Sequence, residues 1–344
     1  MKKIFKNYLL NVIIIVLLAA VALYFSLRGN FSEVMISLKA VHWSWLLFLG
    51  GYALLYQFLV AVILTELTKM SNPNYSYRKG MINAIIASFF HGITPSASGG
   101  QFAQVYVYKK QDVDVTEAVS VLWMDFIVYQ STMVITVLVL LLLRFGNFYN
   151  HYNQLFTLVI LGFIVNGAII IGLWVLARFS KIYMWISTRG VKFAYKLKFV
   201  KNEEKTVEIL NESIRHFEKE TLKFQTHKKL IIKVFVINLI RLCVYYLIPY
   251  FVALALAIPV PSSMIIDIMA LTAFVSMINA FIPIPGASGG TEATFLLMFS
   301  TIVSSSEAAS MMILWRFFSY YFVMFVGVIV FTLFKHYYAK KEGA

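Results

Sequence analysis

The sequence predicts an all-α polytopic membrane protein, with six spanning helices and two re-entrant broken-helix hairpins arranged as an inverted-topology repeat. Three observations predict it. Hydrophobic residues make up 60% of the chain and charged residues 13%, against about 45–50% and 25% in an ordinary soluble domain. Uncharged runs recur at 8–27, 43–65 and 154–177, each near the ~20 residues that cross a bilayer. A short word rich in proline, serine and glycine appears twice, as ITPSASGG at 93–100 and IPGASGG at 284–290.

Taken in order, 8–27 is too long and too aromatic for a signal-peptide core, and no small-residue cleavage site follows it, so it reads as a retained helix. With Lys2, Lys3 and Lys6 assigned to the cytoplasm, 8–27 leaves and 43–65 returns to Lys69, Arg78 and Lys79. The broken stretch 79–108 ends at Lys109 and Lys110, so it reads as a hairpin with both ends cytoplasmic. Helix 118–143 leaves, 154–177 returns and 234–257 leaves again. A second broken stretch, 263–303, starts and ends outside, and 308–334 returns to Lys335, Lys340 and Lys341. Of 30 Lys and Arg, only Arg28, Lys39 and Arg144 then lie outside, with Arg241 and Arg316 in the membrane. That asymmetry is what the positive-inside rule demands. Two full crossings per broken stretch would keep the same parity and remain open.

The chain reads as one transmembrane domain, 1–344, with inverted halves 1–150 and 151–344 and both termini cytoplasmic. The basic loop 178–233 carries apolar residues three and four apart (Val207, Leu210, Ile214, Phe217). It is expected to lie on the cytoplasmic face, against the bundle or anionic lipid. The net charge of +14 is assigned to orientation and headgroup attraction rather than to nucleic acid. A single cysteine, Cys243, gives neither a disulfide framework nor a thiolate metal site, and no cofactor or metal is expected.

Pro95 and the pair Pro283 and Pro285 break the entering arms. Ser98, Gly99 and Gly100, and their counterparts Ser288, Gly289 and Gly290, start the returning arms. A helix starting this way offers unpaired amides and the positive end of its dipole, a setting for an anion. Backbone outside a helix survives at membrane depth only within protein or beside water. Interrupted segments at corresponding places in inverted halves point to a transporter's substrate site, with phosphate as the natural guest. The competing reading is that the glycines merely permit close helix packing.

Four charges lie inside the spans: Asp125, Arg241, Glu292 and Arg316. Each costs about 2.5–3.5 kcal/mol or more at a helix centre, so each should face the interior and pair. Arg241 and Arg316 are assigned to a phosphate, and Glu292 to an ammonium group, a proton or Arg316. Asp125 has no assigned role, and ion pairing that pins helices is the alternative for the set. Gln101 and Gln104 follow the first glycine pair on one side of the arm, suited to a headgroup or to an interhelical hydrogen bond. His91 reads as a satisfied bundle residue, and Glu66 and Asp267 as solvated at span ends.

With these motifs in view, the chain resembles the lysylphosphatidylglycerol synthase transmembrane family, also called flippase-like domain proteins, over essentially its whole length. TPSASGGQFAQVYVYKK is similar to the family's Gram-positive form of the first break, with Gln101, Gln104 and Tyr106 at matching places. IPIPGASGGTEATF is similar to the second, with Glu292 at the acidic position, and Arg316 matches the arginine of the last helix. The resemblance implies a bacterial cell-membrane protein that moves lipid headgroups between leaflets. Its best-known relatives join this module to a synthase that transfers lysine from lysyl-tRNA to phosphatidylglycerol, giving resistance to cationic antimicrobial peptides. Many relatives carry an acidic residue where Gln101 stands, an arginine where Gln104 stands and an arginine where Thr291 stands. A lysyl-lipid substrate is therefore not carried over.

The leading function is a flippase or scramblase for an anionic or modified (aminoacyl- or glyco-) phospholipid or lipid phosphate, with membrane lipids as partners. No GxxxxGK[ST] loop occurs, so ATP is not the driver. A phosphatidylglycerol lysyltransferase, or the membrane subunit of one served by a separately encoded lipid-modifying enzyme, is the first alternative. Its catalytic part needs a domain of about 100 residues or more, which the loop 178–233 does not supply. A small-anion transporter is the second.

Overall fold

The computed structural model describes residues 31–94, 99–144, 226–279 and 286–342, with Ile282, Ile284 and short pieces of 160–212. The helix expected at 8–27, most of 154–177 and of the loop 178–233, and Pro95, Ser98, Pro283 and Pro285 lie outside the described residues. Those described hold helices and no strand. In chain order they are α1 (Phe31–Lys39), α2 (Trp43–Thr68), α3 (Tyr77–Ile93), α4 (Gly99–Lys110), α5 (Val115–Leu143) and α6 (Lys228–Ala255). After a single 3-10 turn follow α7 (Ile265–Asn279), α8 (Gly290–Phe299), α9 (Ser305–Arg316) and α10 (Val323–Glu342).

Five described segments are long and apolar enough to cross a bilayer: α2, α5, α6, Ser262–Asn279 and Ser305–Lys340. The protein is an all-α polytopic membrane protein. Polar residues stand where helices begin. His42 accepts the Ser44 N–H ahead of α2, Asp114 the Thr116 N–H ahead of α5, and Ser304 with Glu307 forms a capping box ahead of α9. Within the spans threonines return their hydroxyls to the preceding turn, as Thr65 does to Ala61 and Thr132 to Val128.

The first broken stretch is a hairpin of α3 and α4 whose two ends are stapled together. Lys79 Nζ donates to the Gln111 carbonyl at 3.2 Å, and Gln111 Nε2 donates to the Lys79 carbonyl at 3.1 Å. The Tyr75 hydroxyl donates to Gln111 Oε1 at 2.5 Å. Burial pushes the Tyr75 phenol well above its ordinary value, so the donor proton stays in place at any physiological pH. The second broken stretch pairs α7 with α8. At 10 residues, α8 spans about 15 Å, half the hydrocarbon thickness of ~30 Å.

Helix α5 fixes how the hairpins relate. It starts beside the stapled end of the first and finishes at Arg144, whose guanidinium donates to the Ser263 carbonyl at 3.0 Å and pairs with Asp267 at 3.1 Å. The two hairpins therefore open at opposite ends of the bundle. At the first hairpin's end, Glu66 meets Lys233 Nζ at 2.7 Å and the Tyr77 hydroxyl at 2.5 Å. Glu66 and Asp267 are thus ion-paired tethers between helices, not carboxylates left to solvent, because each stands within reach of a basic residue from another helix.

Helix α3 is clamped between α2 and α10 through glycines. A Cβ on Gly80 would strike Thr65, and one on Gly327 would stand 2.8 Å from the Ile85 carbonyl and from Phe89 Cβ. The larger core lies at the other end, where the Phe295 and Phe299 rings stack at 3.9 Å and Trp315 lies 4.7 Å from Phe295. We predict that Gly327→Ala destabilises the detergent-solubilised protein by about 1–3 kcal/mol, since a backbone carbonyl must shift. Gly51→Ala, whose Cβ meets nothing within 4 Å, carries no such cost. Thermal unfolding of the two variants compares them directly.

Candidate functional site

Between the hairpins lies a hollow of about 480 Å³. The first hairpin contributes Ser88, His91 and Gly92 from α3, and Gln101 and Gln104 from α4. The second contributes Asn279, Gly286, Ala287 and Thr291. Tyr56, Asp125, Tyr129, Arg241 and Arg316 come from the spans.

Tyr320 joins the two breaks. Its hydroxyl donates to the Gly92 carbonyl at 2.8 Å, and Gly286 packs so close to the same ring that no side chain fits there. Gly286 also sits at φ +60°, a conformation glycine adopts freely. Tyr320 reaches this point because residues Phe317–Phe322 form a π turn immediately after Arg316. The surplus residue of a π turn re-aims the side chains around it. The Arg316 guanidinium lies 4.1 Å from the Tyr320 ring centroid, a cation–π contact that desolvation strengthens.

Arg316 is held firmly. Its Nε meets Glu292 Oε1 at 3.0 Å, its Nη2 donates to the Gly286 carbonyl, and only 7% of the residue is exposed. Glu292, 3% exposed, uses its other oxygen to accept the Gly289 N–H at 2.6 Å. Of the three partners considered for Glu292, the described contacts therefore supply Arg316. Arg241 is held differently. Nη1 donates to Asn238 Oδ1 at 3.2 Å and Nη2 to the Tyr56 hydroxyl at 2.9 Å. The Tyr129 and Tyr56 ring centroids lie 4.4 and 5.0 Å from the guanidinium carbon.

Two of the glycine amides do not stand free as the sequence suggested. Gly99 N–H donates to Thr94 Oγ1 at 2.8 Å, and Gly289 N–H is taken by Glu292. In a low-dielectric interior an unmet amide is costly, and an acceptor three to five residues away is nearer than any ligand. Close packing explains the remaining glycines. Gly100 lies against the His91 ring and Gly290 against Ile282. Of the residues singled out by sequence, Gln101, Gln104, Asp125, Arg241 and Arg316 line the hollow together. Gly99, Gly100, Ser288, Gly289, Gly290 and Glu292 are not among its lining and brace it from outside; Ser288 is fully buried.

Tyr56, Tyr129, Asn238 and Tyr320 were not singled out by sequence. Tyrosine occurs 20 times in the chain, so nothing local distinguishes these three. Thr94 was visible as the residue opening TPSASGG, but it closes α3, and nothing local says that its hydroxyl would take an amide five residues on.

The buried pair yields a prediction. Glu292→Gln should destabilise the fold by about 3–5 kcal/mol, because Arg316 is left charged and uncompensated. Combining it with Arg316→Met should recover much of that loss, and equilibrium unfolding of the single and double variants measures the recovery.

Neither a curated protein nor a solved structure matches the chain. A family model does: that of the lysylphosphatidylglycerol synthase TM region, over residues 11–327. A match of that extent points to a lipid-related role in the membrane. The chain belongs to the lysylphosphatidylglycerol synthase transmembrane-region family.

Proposed function

We propose that this protein carries the headgroup of an anionic or modified phospholipid between leaflets, as a flippase or scramblase. The observation that carries this reading is the hollow of about 480 Å³ holding Arg241 and Arg316 between two broken hairpins. Moving a phosphate through hydrocarbon without polar partners costs of order 20 kcal/mol in Born desolvation. Guanidinium groups, the Gln101 and Gln104 amides and tyrosine hydroxyls would replace the lost water while the acyl tails stay in lipid. Arg241 suits the phosphate best, since its described hydrogen bonds go to neutral groups and no described carboxylate is in contact with it. Hairpins opening at opposite ends give each leaflet an equivalent way in, as an inverted repeat would. Lys69, Arg78, Lys79, Lys109, Lys110, Lys228 and Lys229 gather at the end where the first hairpin opens, which supports a cytoplasmic assignment for that end in a bacterial cell membrane.

The test is reconstitution in liposomes with leaflet-sensitive reporter lipids. Arg241→Gln should slow transfer about tenfold or more, the loss of one charge-assisted hydrogen bond worth about 1.5–3 kcal/mol. No protein-dependent movement of any anionic or glycosylated reporter would end the proposal. Uptake of soluble phosphate without lipid movement would favour a small-anion transporter, and lysyl-lipid formed from charged tRNA would favour the enzyme.

A further inference from the structure

Two opposite charges share the hollow without touching. Asp125 and Arg241 both line it, and each feels the other's charge. Yet no carboxylate among the described residues lies within 4 Å of Arg241. Asp125 Oδ1 and Arg241 Nε are both buried without a hydrogen-bond partner. Elsewhere in this protein such groups close on one another: Arg316 with Glu292 at 3.0 Å, Arg144 with Asp267 at 3.1 Å, Lys233 with Glu66 at 2.7 Å. A carboxylate and a guanidinium at membrane depth gain much by direct contact. The pair in the hollow stands open, with a polar atom on each side left for another group.

We infer that Asp125 is a proton-binding site coupled to the headgroup seat at Arg241, so that loading an anion on Arg241 brings a proton onto the Asp125 carboxylate. This rests on the headgroup reading above. The charge balance carries it. Empty, the pair holds one positive and one negative charge. A phosphodiester adds a second negative charge, and the hollow has no described free cation dedicated to it, since Arg316 is already matched by Glu292. Protonating Asp125 to the neutral acid restores zero, with the proton drawn from water on whichever side the hollow is open. The loaded state is then neutral overall, which is the state that crosses a low-dielectric region at least cost.

The other groups facing Asp125 do not compete for this role except one. Tyr56 comes from α2, Tyr108 and Gln104 from α4, Tyr129 from α5 itself, and Tyr245 and Arg241 from α6. Phenols, amides and guanidinium groups as classes keep one charge around neutral pH. His91, from α3, also lines the hollow, and histidine is the side-chain type whose ordinary charge change falls near neutrality. The sign follows from linkage. Anion and proton favour each other's binding, so loading takes up protons and affinity falls as pH rises.

Calorimetry of the purified full chain with short-chain phosphatidylglycerol, in two buffers of different ionisation enthalpy, tests this. That phosphodiester has no second ionisation in the working range, so any protons come to the protein. The expected result is uptake approaching one proton per headgroup bound, with affinity falling up to about tenfold per pH unit. Asp125→Asn should lose both effects, and His91→Gln should keep the uptake. Infrared difference spectra of the unsubstituted protein provide an independent reading, since adding lipid should raise a protonated-carboxyl band. Binding without proton uptake and without that band overturns the coupling alone, as does uptake that survives Asp125→Asn or vanishes only in His91→Gln. No binding of the lipid at all refutes the headgroup seat, and the coupling with it.

Discussion

The contact between Arg316 and Glu292 is where the demands on this chain converge. Neither charge tolerates a low-dielectric interior alone, and each has a second obligation to broken backbone. Glu292 takes the Gly289 amide, and Arg316 takes the Gly286 carbonyl. The pair therefore does for the second break what a continuous helix would have done for itself, satisfying backbone groups where no water or lipid can. Remove it and the break, the tip that meets Tyr320 and one wall of the hollow all lose their support. Buried ion pairs are often dispensable for stability when both partners go together. This one also fixes where an interruption sits.

The two breaks look alike in sequence and are braced by different chemistry. In the first, a neutral hydroxyl does the work, with Thr94 accepting from Gly99 while donating to the Phe90 carbonyl. In the second, a carboxylate does it, and the carboxylate in turn needs an arginine. Nearly the same word therefore draws on two buried charges in the second half and, among the described residues, on a neutral hydroxyl in the first. The first hairpin is tied instead at its open end, by the Tyr75, Lys79 and Gln111 contacts.

How much of this was legible beforehand depended on the range of the signal. The spans at 43–65, 118–143, 234–257 and 308–334 were legible because about 20 consecutive apolar residues are a local property. So was each interruption, since proline and paired glycine act on their own stretch of backbone. The buried charges were legible as a set, because any ion in a span must face inward. What the glycines do was not, because an amide's partner is decided by a side chain a few residues away whose rotamer the sequence does not print. Thr94 and Glu292 were both in view; that they would turn back onto Gly99 and Gly289 was a matter of geometry. Tyr56, Tyr129 and Tyr320 were hidden for the opposite reason, being three aromatic residues among many, given meaning only by helices far away in sequence.

The π turn after Arg316 has a consequence for how the last helix tolerates change. Phe317–Phe322 stores one residue more than an α-helix of the same rise requires. Losing one residue from that window would let the segment relax into ordinary helix, leaving everything beyond it in its old rotational setting. The same loss elsewhere between 305 and 326 would turn the downstream surface by about 100°, carrying Gly327 off α3. The chain thus keeps its slack at a spot where a tyrosine of the last span reaches across to both breaks.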